Sequence, residues 1–325
     1  GNNERRLMWL ELFRALNAAL PRAPDFQPGI WRDPNDKNHT FDSRVDLYIK
    51  TLESKYFEDL ATWFNKDMQR QYEFTQPWLF EKAEQEEAVG NNAAAVGVGN
   101  DVEGSGEGTS TTTSGPSGPG WVIELTGFHY FSKSERDGGV EHVRNTIIKN
   151  LSDKIVMLPD ADGDPRPFTM DELGIGYAVL LDLGETKTEK IINPNADPAT
   201  AEGGEGEEEA GAGDPGQAGF EDDANFTVKK YSFTLQFSWQ APLVTERLTR
   251  RNEFVTAWEN ASSLEQVGSN VGMTLEQVKR RAERYRQMND LGLANITLKD
   301  FDQPEPPAGA DGGPEAPIDA PPGGP

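Results

Sequence analysis

The chain has no cysteine, which excludes disulfides, thiolate nucleophiles and cysteine-ligated zinc and leaves its redox compartment undetermined. Histidine is scarce: only His39, His129 and His142 occur, and no two have the spacing of a zinc-ligand pair. No stretch approaches the roughly 20 consecutive apolar residues that cross a bilayer, and no signal-peptide pattern is visible. Positive charge is also short. There are 31 Lys+Arg against 55 Asp+Glu, a formal net charge of −24. Such a surface repels phosphate backbones, so contact with nucleic acid requires a local basic patch.

Catalytic signatures are missing as well. No glycine-rich phosphate loop opens a helix, no serine elbow is present, and Gly97 to Gly99 lie in low-complexity sequence. Asp160, Asp162 and Asp164 imitate the first ligands of a calcium loop. Pro165 stands where that loop needs glycine, however, and Asp171 where it needs a bidentate Glu. An acidic turn before a strand is the simpler reading. His129 reads as packed or hydrogen bonded within a strand, and His142 as a solvated residue beside Glu141. No carboxylate pair is singled out for acid–base work. A non-enzyme with no cofactor and no small-molecule substrate is expected.

Glycine and proline, 33 and 22 residues, concentrate in three stretches. Residues 84–120 read as a disordered linker, 195–223 as a disordered acidic insert and 303–325 as a disordered Pro/Gly-rich tail, because none buries enough apolar area to offset its conformational entropy. Residues 1–83 then form an N-terminal helix–strand–helix segment. Leu7, Leu10, Leu12, Phe13, Leu16 and Leu20 make a helical stripe stopped by Pro21; residues 44–50 alternate as a half-buried strand; residues 56–65 predict a second amphipathic helix reaching toward Phe74.

Residues 121–245 are the best patterned. Strands are predicted at 121–131, 175–183 and 226–239, with a helix at 139–151 that puts Val140, Val143, Ile147 and Leu151 on one face. The order β-α-β-β gives an α+β sandwich with one helix on an antiparallel or mixed sheet. Trp121, Phe128, Tyr130, Tyr231, Phe233, Phe237 and Trp239 are the candidate protein-interaction residues on its aromatic strands.

Residues 6–21, 59–64, 121–130 and 231–240 resemble the extra-membrane part of planctomycete proteins similar to inner-membrane assembly components of type IV pili and type II secretion systems. The resemblance spans about residues 4–245 and rests on packing motifs. It implies a ferredoxin-like domain that pairs with itself or with sister subunits on the outer side of the inner membrane, and it carries over no active-site residue.

Residues 246–302 read as a separate all-α helix-turn-helix unit. Ser263 with Gln266 and Thr274 with Gln277 are two capping boxes eleven residues apart. Gly268 marks a close helix approach, and Gly272 a turn with positive φ. Leu264, Val267, Val271, Leu275 and Val278 are the inner face, with Val255 and Trp258 from the preceding helix, and residues 292–301 close the unit as a short strand. If the unit reads DNA, Thr274, Glu276 and Gln277 open the recognition helix, and Lys279, Arg280, Arg281, Arg284 and Arg286 meet phosphates. Between Thr245 and Asp300 there are nine Lys+Arg against eight Asp+Glu, little for a lone DNA-binding domain, and a protein-packing bundle is the alternative.

Two functions remain open from the residues alone. One is a scaffold of a pilus- or secretion-type machine that works by protein association through the α+β domain. The other is a transcriptional regulator binding double-stranded DNA through residues 263–286. The first fits the outer side of the bacterial inner membrane, given an anchor upstream of Gly1; the second fits the cytoplasm. Nothing between Trp121 and Phe301 crosses a membrane, so both units belong on one side.

Overall fold

The computed structural model describes residues 2–23, 40–79, 115–133, 136, 138–159, 163–182, 186–193 and 225–301, with side chains described from Arg6 onward. His39, Asp160, Asp162 and nearly all of the three Gly/Pro-rich stretches lie outside the described residues. The exception is Gly115–Gly120, expected to be linker. Here Gly118 N donates to Asp59 Oδ1 at 2.9 Å, Gly118 O accepts from Leu60 N at 2.8 Å, and Gly120 opens a strand.

The chain divides into two compact units, residues 1–249 and 250–325. The first is a mixed α+β unit, and it includes the N-terminal segment 1–83. Its elements are helix α1 (Asn2–Ala19), strand β1 (Tyr48–Phe57), helix α2 (Lys66–Thr75), strand β2 (Gly120–His129), helix α3 (140–153), strands β3 (Ile155–Pro159), β4 (Pro165–Thr169), β5 (Ile175–Asp182), β6 (Thr186–Ile192) and β7 (Asn225–Trp239). The main sheet is antiparallel in every described pairing, in the order β1-β2-β7-β5, with β6 also on β7; β3 and β4 form a separate hairpin.

Several sequence expectations shift. The helix expected at 56–65 is instead the end of β1 and a short 3₁₀ turn at Leu60–Thr62; the true helix starts after Asn65. Two caps explain the change. Asp59 accepts from Ala61 N, and Asn65 Oδ1 accepts from both Asp67 N and Met68 N at 3.0 Å, which sets the helix start six residues later. Helix α3 appears as expected but carries a π-helical stretch at Arg144–Ile148. The α1 stripe is rotated. Leu12, Ala15, Leu16 and Ala19 are buried, whereas Leu7, Leu10 and Phe13 are 58%, 57% and 47% exposed.

The core lies between the sheet and helices α1 and α3. Ile123 and Leu125 of β2, with Phe233, Leu235, Phe237 and Trp239 of β7, meet Leu12 and Leu16 of α1 and Val143, Ile147 and Leu151 of α3. Trp9 closes one end, 4.7 Å from Trp239 and 5.5 Å from Trp121. On the opposite face a smaller cluster of Leu60, Trp63, Phe64, Tyr72 and Leu79 covers Val122 and Val179. Buried Arg144 joins α3 to the C-terminus of α2, where Nε donates to Thr75 O at 3.0 Å and a second nitrogen to Phe74 O at 2.7 Å. A cation at the end of a helix also meets the negative end of its dipole.

The second unit contains the end of helix α4 (Val244–Asn260), helix α5 (Leu264–Val271) and helix α6 (Leu275–Asp290). Both glycines sit as expected. Gly272 has φ +67°, and a Cβ on Gly268 would lie 2.5 Å from Met273 O. The Thr274–Gln277 box has both legs, while at Ser263 the Gln266 side chain reaches back to Ser262 N instead. Phe254, not Val255, fills the interior beside Trp258, Val267, Val278 and Tyr285. Residues 292–301 form no strand. Asn289 brackets Ile296 with two hydrogen bonds, and Trp258 Nε1 donates to Lys299 O at 2.8 Å.

Candidate binding face

Side chains alternate across the sheet, so the odd residues of β2 and β7 that build the core leave the even ones on the other face. Near the 3₁₀ turn that face is covered. Trp63 Nε1 donates to Gln236 Oε1 at 2.8 Å, and Gln236 Nε2 donates to Glu124 Oε2 at 2.7 Å. Toward the other end of β2, only the short turn Phe41–Ser43 lies against it among the described residues, and Phe128 and Tyr130 are half-buried. There Tyr48 stands directly opposite Phe128, with rings stacked at 5.0 Å and 14°. Tyr130 lies 5.4 Å from Phe128 and 5.9 Å from Tyr48. Phe41 extends the cluster, 5.7 Å from Tyr130 and 5.4 Å from Phe226.

Cations overlie this aromatic floor. Lys230 Nζ is 4.6 Å and Lys50 Nζ 5.2 Å from the Phe128 ring centre, and the Arg44 guanidinium is 4.3 Å from that of Phe41. Lys230 also meets Glu189 at 2.7 Å, and this hydrogen bond raises its pKa above the usual lysine value. The Tyr130 phenol is raised too, first by burial and then by Glu189. These groups are therefore a charged ammonium and a neutral phenol at neutral pH. Flat rings under fixed cations, with Thr51, Thr126 and Thr234 beside them, suit apolar and acidic side chains of a partner.

Of the seven aromatic residues singled out in the sequence, Phe128 and Tyr130 lie on this face. Phe233, Phe237 and Trp239 do not, because they are buried in the core and point toward α1 and α3. Trp121 and Tyr231 belong to that inner side as well. Trp121 packs on Trp9 and on Tyr56, and Tyr231 stacks on His129 at 5.1 Å. The sequence reading missed Phe41, Arg44, Tyr48, Lys50, Phe226 and Lys230. The alternation at 44–50 carried the signal, since it sets Arg44, Tyr48 and Lys50 in its outward phase.

His129 and His142 form a buried pair. His129 Nε2 donates to Gly139 O at 3.0 Å, His142 Nε2 donates to Val45 O at 2.9 Å, and the two rings are 4.8 Å apart. His142 is thus not solvated: its partner lies 97 residues away in sequence, and the Phe131 ring stacks on it. His129 Nδ1 is buried without a hydrogen-bond partner among the described residues.

The proposed DNA-reading residues on α6 are largely engaged within their own unit. Thr274 and Gln277 cap the helix through each other. Glu276 lies 3.7 Å from Arg280, Arg281 sits 5.6 Å from the Phe254 ring, and Arg284 is only 8% exposed. Arg286 is near Glu283 and Asp300, at 3.9 and 3.5 Å. Lys279 is half-buried. Helix α6 is amphipathic, and Arg284, one turn before the buried Met288 and next to Tyr285, falls at the edge of the buried side rather than among phosphates.

No group of three or more potential metal ligands occurs among the described residues, and no described helix is long and apolar enough to cross a membrane. No family model matches the chain, and neither a curated protein nor a solved structure matches it.

Proposed function

We propose that the chain is a non-enzymatic assembly protein that binds protein partners through the aromatic and cationic face around Tyr48, Phe128 and Tyr130. The observation carrying this reading is the stacked Tyr48–Phe128 pair under Lys50 and Lys230, on a part of the sheet that no described helix or strand covers. Tyrosine and arginine side chains carry much of the binding energy at many protein interfaces, and Tyr48, Tyr130 and Arg44 are of that kind.

The setting comes from the resemblance to inner-membrane assembly components of type IV pili and type II secretion systems. The order α1-β1-β2-α3-β5-β7, with sheet order β1-β2-β7-β5 and both helices on one side, supports a permuted ferredoxin-like domain. The two capped helices around Gly272 support a helix-turn-helix unit at the C-terminus. In this reading that unit packs on protein, because most of its basic side chains are already engaged.

Titration of the full chain with the extra-membrane domains of sister assembly subunits tests the proposal, followed by calorimetry. A saturable complex is expected. Absence of a complex with any of them, together with tight and salt-sensitive duplex binding by residues 246–302, would overturn it in favour of the regulator.

A further inference from the structure

The two edges of the main sheet are treated differently. Along β5 the edge is blunted by side chains from α2 and the residue after it. Gln76 Nε2 donates to Ala178 O at 2.8 Å, Leu180 N donates to Thr75 Oγ1 at 3.1 Å, and Gln71 Nε2 donates to Leu180 O. Along β1 nothing comparable occurs among the described residues. The backbone of this ten-residue strand bonds only to β2, it contains no proline, and past one bulge between Ile49 and Thr51 it runs regular from Thr51 to Phe57. A long unpaired edge is a template for strand addition, and proteins that do not use one normally cover it, bend it or interrupt it.

We propose that the free edge of β1 pairs antiparallel with the β1 edge of a second copy, in a register centred on Ser54, joining two five-stranded sheets into one. This deepens the reading of the chain as an association protein and rests on it.

The strand's own pattern selects the register. Its one irregularity lies at Lys50, between Ile49 and Thr51, so Thr51–Phe57 is a regular run. A two-fold axis through an antiparallel edge pair keeps each face continuous, so it must pass through a residue and not between two. Centred on Ser54, the run places Glu53 opposite Lys55 and Leu52 opposite Tyr56, each twice, with Thr51 opposite Phe57 and the small Ser54 opposite itself. Centred on Glu53 it sets Glu53 against Glu53; centred on Lys55 it sets Lys55 against Lys55. Like charges directly opposite are destabilising and opposite charges are favourable, so the Ser54 register is preferred over its neighbours. Tyr56 is 52% exposed on this edge although it already packs on Trp121, and pairing with Leu52 of a second copy covers it.

The absence of cysteine makes the test clean. In full-length Ser54→Cys, the two introduced thiols meet across the axis, and mild oxidation is expected to give a disulfide-linked dimer. Thr51→Cys is the control. In the proposed register the two copies of residue 51 are six positions apart, about 20 Å, and do not cross-link. Sedimentation equilibrium of Glu53→Lys is expected to show dimer affinity reduced about tenfold, and Glu53→Lys with Lys55→Glu in one chain is expected to restore it. A chain that stays monomeric at its highest soluble concentration overturns the proposal. So does a dimer in which Ser54→Cys fails to cross-link, or in which Thr51→Cys cross-links equally well, although the association reading itself then still stands. If instead the Ser54 cross-link forms and no assembly subunit binds, the wider reading fails and the edge pairing survives.

Discussion

The imidazole of His129 lies 4.8 Å from that of His142, and both rings are enclosed, one stacked on Tyr231 and the other on Phe131. Each donates its Nε2 hydrogen to a backbone carbonyl, which sets the neutral tautomer. Val45 precedes β1, so the pair ties the entry of that strand to β2 and α3.

Acid should weaken this unit. Burial, and then the neighbouring His142, lower the His129 pKa from 6.5 to about 4; burial also lowers that of His142. The unfolded chain therefore binds more protons between pH 6.5 and 4. The stabilising contribution is full above the unfolded value and is lost as pH falls through that window, by about 3 kcal/mol at pH 4 from His129. NMR titration of the imidazole signals checks it, and an ordinary value near 6.5 for His129 would contradict it.

Core and face should separate on mutation. Phe237→Ala removes a fully buried ring and is expected to cost about 3 to 5 kcal/mol in denaturant unfolding. Phe128→Ala, on the open face, should cost about 1 kcal/mol or less while weakening partner binding. Similar stability losses for the two would show that the face is covered.

The turn of the second unit depends on its glycines. Gly272→Ala should cost about 1 to 2 kcal/mol, because an alanine is strained at φ +67°. Gly268→Ala should cost about 1 to 3 kcal/mol, since its Cβ meets the Met273 carbonyl. Unfolding of each variant against wild type, followed by circular dichroism, measures both.

Duplex DNA should bind weakly. With Arg284 buried, Arg280 beside Glu276 and Arg286 beside Glu283 and Asp300, few α6 cations are placed to reach phosphates. Two phosphate contacts give a log–log salt slope of about −2. A slope of about −5 or steeper in a fluorescence-anisotropy titration would restore the DNA reading.

How much was legible follows from where the physical information sits. Strands β2 and β7 were read directly, since their apolar residues alternate over long runs and the core uses that alternation. The π-helical step inside α3 left its boundaries intact and so went unseen. Strand β6 escaped because Thr186–Ile192 is mostly polar and exposed, and it is held by its ladder to β7 rather than by burial. The hairpin β3–β4 escaped because its prolines argue against strands, yet a two-stranded ribbon has no central strand whose ladder they would interrupt. The helix misplaced to 56–65 shows that two caps, Asp59 and Asn65, outweigh an apolar period of one turn. On the binding face, Phe128 and Tyr130 were identified within one strand. Their neighbours Phe41, Tyr48 and Phe226 come from distant segments that only the register brings together, and the burial of His142 depends on a carbonyl equally remote.

If partners dock on the aromatic and cationic face, as proposed, their affinity depends on its rings. The most direct measurement is the dissociation constant for a sister assembly subunit with Phe128→Ser/Tyr130→Ser against wild type, using Leu7→Ser/Leu10→Ser on the exposed side of α1 as the control. A loss of about a hundredfold or more is expected for the first pair and little change for the second. Unchanged affinity in Phe128→Ser/Tyr130→Ser, with the fold intact, would contradict it.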